Sequence, residues 1–236
     1  MILVSVALVG PDGAGKTTIA KAVVATLPFP ARYLYMGDNP ASANRSLLTT
    51  RLWFALKRAA GRREDTGPPP APRTSFRGVG PVRRTALEVR AMLRLVPQLG
   101  EEWYRAALGR TWERQGFVVI LDRDFFVDYY AHDIAGDGAG RTLGRSLHGS
   151  LLRALYPRPD LVICLDAPAE LLLERKGEGS VEALSRRAAD YRAIAPQVKR
   201  FVVVDVSRPE DEVVDEVSTV IVQFTARDPR GRGPRR

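Results

Sequence analysis

Only one cysteine, Cys164, and two histidines, His132 and His148, occur in 236 residues. A lone thiol excludes an intrachain disulfide framework and any multi-cysteine zinc site, and it points to a reducing, cytoplasmic setting. No apolar run approaches the roughly 20 residues that a membrane helix needs. The apolar opening, Ile2 to Val9, has no basic leader and runs straight into a glycine-rich turn, so it reads as a strand rather than a signal peptide. Hydrophobic residues make up 45% and charged residues 27% of the chain, which excludes wholesale disorder and allows one sizeable core. The length suits one large domain or a domain with an insert and is too short for two full enzymes.

Acidic residues are in deficit overall, with a net charge of +9, but the excess is local. Residues 41–85 hold ten Lys/Arg and two Asp/Glu, residues 226–236 hold five Arg and one Asp, and the remainder sums to −3. Of 36 basic residues, 31 are arginine and they are spread along the whole chain, a skew that composition bias explains as well as phosphate binding does. The basic segments therefore read as a solvated, proline-rich insert (41–85) and a disordered tail (226–236), with nucleic acid disfavoured as a partner.

Along the chain, apolar runs alternate with helical patterns. Strands are expected at Ile2–Val9, Arg32–Met36, Phe117–Leu121, Leu161–Leu165 and Phe201–Val206. Helical spacing follows the first strand to about Leu27. It recurs at 46–60, from about Arg84 to Gln115, at 144–155, 168–176, 180–195 and 209–225. Pro97 and Gly100 are expected to kink or divide the long segment. TGPPPAPR breaks regular structure, so 61–82 is expected to lack it. There is no internal repeat at a 20–50 residue period. The pattern implies an α/β domain with a mainly parallel five-stranded sheet flanked by helices, spanning 1–225. Asp38, Asp122, Asp166 and Asp205 fall at carboxyl ends of strands, the edge where open α/β sheets bind ligands.

Gly10-Pro11-Asp12-Gly13-Ala14-Gly15-Lys16-Thr17-Thr18 fits the phosphate-loop pattern G-x-x-x-x-G-K-[ST] between a strand and a helix. Gly10, Gly13 and Gly15 let backbone N–H groups point at phosphate oxygens, and Ala14 adds no bulk. Lys16 supplies a point charge, and the Thr17 hydroxyl suits magnesium bridging the phosphates of a nucleoside triphosphate. Downstream, Asp122 and Arg123 are delivered to the same edge. Asp122 suits holding magnesium through water or accepting a proton from an attacking oxygen, and Arg123 suits an acceptor phosphate.

GPDGAGKTT, LDRDFF, RPDLVICLDAPAELLLERKG and VVVDVS together resemble the thymidylate kinase family of P-loop kinases over roughly 1–40 and 100–225. The resemblance implies a P-loop NTPase fold with a lid at about 172–192, and ATP and magnesium as cofactors. It also implies phosphoryl transfer to a nucleoside monophosphate and assembly as a homodimer through the long helical region. Carried over, Asp12 lies near the acceptor sugar or around magnesium. Lys16, Thr17 and Thr18 serve ATP, and Thr17 and Asp122 serve the metal. Asp122 and Arg123 serve transfer. Arg175 reaches the transferred group, with Lys176, Arg186 or Arg187 beside it, and Ser207 and Arg208 flank adenine.

Three departures bear on the acceptor. The place of an Arg-Glu-Pro type motif reads Tyr35-Met36-Gly37-Asp38-Asn39-Pro40. A Gln-Gly-x-Gly-Arg type stretch reads Asp137-Gly138-Ala139-Gly140-Arg141. The 41–85 insert has no counterpart in the compact enzymes. Arg90 or Arg105 is a candidate replacement for a base-reading arginine, and Tyr129 or Tyr130 for a stacking ring. Two other readings stand beside the first: a kinase acting on a nucleoside or another specialised small molecule, and a non-catalytic nucleotide-binding regulator with basic nucleic-acid-binding segments. His132, His148, Cys164, Trp53, Trp103 and Trp112 read as structural residues.

Overall fold

The computed structural model describes residues 4–37, 44, 45, 47, 81–130, 134, 143–177 and 179–227. The expectations for Asp38, most of the insert, His132, the 137–141 stretch and the tail beyond Arg227 lie outside these residues. The elements run β1 (Val4–Val9), α1 (Lys16–Thr26), β2 (Ala31–Tyr35), α2 (Pro81–Arg114), β3 (Val118–Asp122), α3 (Phe125–Tyr129) and α4 (Leu143–Leu155). They continue with β4 (Leu161–Asp166), α5 (Ala169–Lys176), α6 (Val181–Arg192), a 3-10 turn at Ala195–Gln197, β5 (Phe201–Asp205) and α7 (Glu210–Arg227).

The strands form one sheet in the order β2-β3-β1-β4-β5, with every neighbouring pair parallel. The central strands VSVALV, VVILD and LVICLD are buried at every residue because helices cover both faces. Period-two alternation divides their side chains. Val4, Val6, Leu8, Val118 and Ile120 pack with Ile19 and Val23 of α1 and Val213, Val217 and Ile221 of α7. Ala7, Val9, Val119, Leu121 and Cys164 face Trp112 of α2, Phe125 and Phe126 of α3, and Leu152 of α4. The connection leaving β1 runs to the β2 edge and the one leaving β4 runs to the β5 edge. A crevice therefore opens at the carboxyl end of β1, where such sheets bind ligands.

The expected strands and the four helical patterns after residue 143 appear within a few residues of their positions. The long segment is not divided. α2 runs 34 residues with Pro97 inside it. Anchors hold the turns that follow: Gln98 donates to Glu102 and to the Tyr129 hydroxyl, and Arg105 binds Glu101 and the Tyr35 carbonyl at the end of β2. Farther along, Gly109 brings α2 close to the sheet. A Cβ there would lie 3.5 Å from Leu34 and 3.9 Å from Val119. The short α3 had no periodic signal. It is set by Asp124, whose carboxylate caps it by accepting from the Val127 N–H at 3.1 Å.

Candidate active site

The turn after β1 is fixed by sterics. Gly10 and Gly13 have φ of 146° and 89°. A Cβ on Gly10 would sit 2.2 Å from the Leu165 carbonyl oxygen, and one on Gly13 would sit 2.6 Å from that of Leu172. The loop is thus clamped against β4 and α5. Gly15 begins α1 in the left-handed region, and no side chain caps it, so the first-turn N–H groups face outward as anion donors. Thr17 and Thr18 are exposed on that first turn.

Lys16 is buried, and its Nζ donates to the Gly10 and Pro11 carbonyls at 2.8 and 2.7 Å. Burial and the nearby Arg123 charge push its pKa down to about 7, against the pull of Asp12, Asp128 and Asp122. Asp12 gathers three cations: Arg123 at 2.8 Å, Lys176 at 3.7 Å and Lys16 at 3.9 Å. Burial would raise its pKa, but these partners together hold the carboxyl well below the usual range.

Arg123 is the only non-glycine among the described residues with positive φ, at 75°. Such a conformation is costly and is kept where the surroundings impose it. Its N–H donates to the Leu8 carbonyl at 3.0 Å. Its guanidinium reaches Asp12 and lies 3.8 Å from Asp128. Although burial works against its charge, Asp128 and Asp12 keep it protonated.

Asp122 ends β3 beneath the loop. Its Oδ2 accepts from the Thr17 hydroxyl at 2.6 Å and from the Tyr33 hydroxyl at 2.8 Å. Its Oδ1 is buried without a partner. A threonine hydroxyl beside an orphaned carboxylate oxygen at a phosphate loop fits magnesium, which takes one or two carboxylates and completes its shell with phosphates and water. Among the described residues no group of three or more His, Cys, Asp or Glu could hold a metal unaided. This donor set therefore suits a cation brought in with a nucleotide.

Helix α6 closes the other side. The buried Tyr191 donates to Asp128 at 2.7 Å. Arg187, one turn earlier, lies 5.9 Å from the Tyr191 ring centroid and is half-buried. Burial opposes its charge, and Tyr191, Asp128 and Asp12 restore it. The structure thus brings together Asp12, Lys16, Thr17, Asp122, Arg123 and Lys176.

It places Arg175 elsewhere. Its guanidinium donates to the Val206 carbonyl at 2.8 Å, beside Ser207 and Arg208 at the end of β5 and not against Asp12. Ser207 donates its N–H to Asp205, and Arg208 pairs with Glu216, so both line an exposed turn. Arg105 lies inside the fold. It is 2% exposed, ion-paired to Glu101, and donates to the Tyr35 and Gly37 carbonyls. Tyr129 stacks on Phe125 and meets the His148 ring edge-on at 4.7 Å, and Tyr130 leans on Phe126. His148 is buried against Glu102 at 3.0 Å, Trp112 is core, and Cys164 is core with its thiol pushed up to about 12 by burial and Asp166.

Sequence reasoning missed Tyr33, Asp128 and Tyr191. The i,i+4 spacing of Arg187 and Tyr191 was a usable signal for one shared helix face. Nothing in a single sequence ties Tyr33 to Asp122.

Fold and site together define a P-loop NTPase-type α/β protein: a parallel sheet of order 2-3-1-4-5 with a lysine-bearing glycine turn after the central strand. No protein-family model matches the chain. It is similar to a probable thymidylate kinase of Archaeoglobus fulgidus, 32% identical over 116 residues, covering 47% of this chain and 56% of that one. It is also similar to a thymidylate kinase of Leifsonia xyli, 35% identical over 115 residues, with 44% and 52% covered. A third relative, the thymidylate kinase of Desulfovibrio desulfuricans, is 34% identical over 139 residues, with 50% and 60% covered. The chain thus spans between half and two thirds of the length of these curated relatives. A solved deoxyadenosine kinase structure from M. mycoides aligns with TM-score 0.49 and 13% identity, over 93% of this chain and 99% of that one.

Proposed function

We propose that this chain is an ATP- and magnesium-dependent phosphotransferase whose acceptor is a nucleoside monophosphate. The observation that carries the proposal is the convergence of Lys16, Arg123 and Lys176 on Asp12 directly over the glycine turn. Arg123 and Lys176, with Lys16 fully charged once phosphate arrives, form a preset, partly water-excluded field for a phosphate chain and for a second phosphate beside it. The similarity to thymidylate kinases supports the same reading.

In the proposed reaction an acceptor phosphate oxygen attacks the γ-phosphorus. The bond to the β–γ bridging oxygen breaks, and its electron pair leaves with ADP. The α1 N–H groups and Lys16 cradle the triphosphate. Thr17 and Asp122 would hold magnesium, which would offset charge on the phosphates. Arg123 releases part of its hold on Asp12 to grip the acceptor phosphate. Arg187 and Lys176 approach from the α5–α6 side and exclude water. Arg175, with Ser207 and Arg208, borders the adenine end. On this reading residues 1–225 form one kinase domain, with α5 and α6 as its lid.

We also propose a homodimer. Val89, Met92, Val96 and Trp103 are 53%, 42%, 72% and 36% exposed on α2, at three-, four- and seven-residue spacings along one face.

A panel of nucleoside monophosphates with γ-labelled ATP tests the function. Transfer of label to at least one of them is expected, and transfer to none while ATP is bound would overturn it.

A further inference from the structure

We infer that Tyr33 is a positioning residue of the metal site: its hydroxyl fixes the Asp122 carboxylate so that one oxygen stays free for the cation carried by the nucleotide. The inference deepens the phosphotransferase reading above and rests on it.

Tyr33 pairs with Ile120 across the β2–β3 ladder, one pleat below Asp122. Its ring lies toward α1, with the Lys21 ammonium 5.7 Å from the centroid. From there the hydroxyl donates to Asp122 Oδ2 at 2.8 Å. The same oxygen accepts from Thr17 at 2.6 Å, while Oδ1 is buried and partnerless. A buried carboxylate oxygen without a donor is costly, and two donors crowded on its twin make the asymmetry specific.

The two donors differ in kind. Thr17 belongs to the first turn of α1 and serves the phosphates as well. Tyr33 stands on a strand that is hydrogen-bonded into the sheet, with its ring packed against the core. It therefore keeps the carboxylate plane in place when the threonine hydroxyl is drawn to a ligand. Outer partners of this kind orient the groups that bind metals, and their loss typically costs about 10- to 100-fold in metal affinity.

The test is Tyr33→Phe, which keeps the ring and its packing, with thermal melting to confirm the fold. ATP binding is measured by calorimetry twice, with magnesium and with EDTA, and manganese binding in the presence of ATP is followed by electron paramagnetic resonance. The expected result is unchanged affinity for metal-free ATP, a gain from magnesium that shrinks by about tenfold or more, and a matching loss of bound manganese. An unchanged magnesium gain overturns the inference. So does an equal fall in both ATP affinities, which marks a structural role alone. Failure of the unaltered protein to bind ATP under either condition overturns the phosphotransferase reading itself, a result distinct from the other two.

Discussion

Proton uptake on nucleotide binding is the sharpest consequence of how Lys16 sits. In the free protein its Nζ is buried on two carbonyls of its own loop, and its pKa lies near 7. Phosphate oxygens arriving at that nitrogen favour the charged form and return the pKa toward its ordinary value of about 10.4. The free lysine is then about one-tenth protonated at pH 8 and about nine-tenths protonated at pH 6, while the bound lysine is protonated at both. Binding of Mg·ATP should therefore take up about 0.9 proton at pH 8 and about 0.1 at pH 6, and affinity should weaken roughly fiftyfold between pH 7 and pH 9.

Two charged neighbours of Lys16 keep their charge through that window. Asp12 is held ionised, and Arg123 is held protonated. Asp124 has a pKa near 7 through burial, but it caps α3. Calorimetry in buffers of different ionisation enthalpy measures the uptake directly, and Asp124→Asn separates the two candidates by retaining it. An uptake near zero at pH 8, with an affinity flat from pH 7 to pH 9, would refute the argument. The same depressed pKa has a stability corollary. Between about pH 7 and 10.4 the unfolded chain binds more protons at this lysine, so the destabilisation it causes is lifted as pH rises through that range.

Other expectations follow from single contacts. Gly13→Ala places a Cβ 2.6 Å from a backbone oxygen at φ 89°, so nucleotide binding should be lost and the melting temperature lowered; a variant with native affinity would show that the loop yields. Arg123→Ala should cut kcat/KM by about 100-fold, mainly through the acceptor, and unchanged acceptor kinetics would remove it from the site. Tyr191→Phe frees Asp128 from α6 and should cost about 1–2 kcal/mol in denaturant unfolding, with a weaker grip on the acceptor; no change in either would contradict a role for α6 there. Val96→Glu on the exposed face of α2 should convert a sedimenting dimer to monomer, whereas an unaltered protein that is already monomeric would end the dimer proposal.

The sheet was legible because buried parallel strands read as continuous apolar runs, as in VVILD and LVICLD. The glycine turn was legible because its chemistry is local: nine consecutive residues carry the φ angles, the lysine and the hydroxyls. What the sequence hid is non-local. Tyr33 and Asp122 are 89 residues apart, and Asp128 and Tyr191 are 63 apart. Only the strand order brings those pairs together. The sequence pattern put Arg175 at the transferred group with Lys176 beside it, yet a helix turns consecutive residues about 100° apart, and Arg175 goes to Val206 while Lys176 goes to Asp12. Pro97 does not divide α2, because propensity is a weak prior against tertiary contacts such as those of Gln98 and Arg105 on the turns that follow.

The central claim is that the turn after β1 binds the phosphates of ATP through Lys16. Equilibrium dialysis of the protein and of Lys16→Ala against labelled ATP with magnesium tests it most directly. One Mg·ATP per chain is predicted for the unaltered protein, and a loss of at least about 100-fold in affinity for a variant that still melts cooperatively. Absence of binding by the unaltered protein, or equal binding by both, would contradict it.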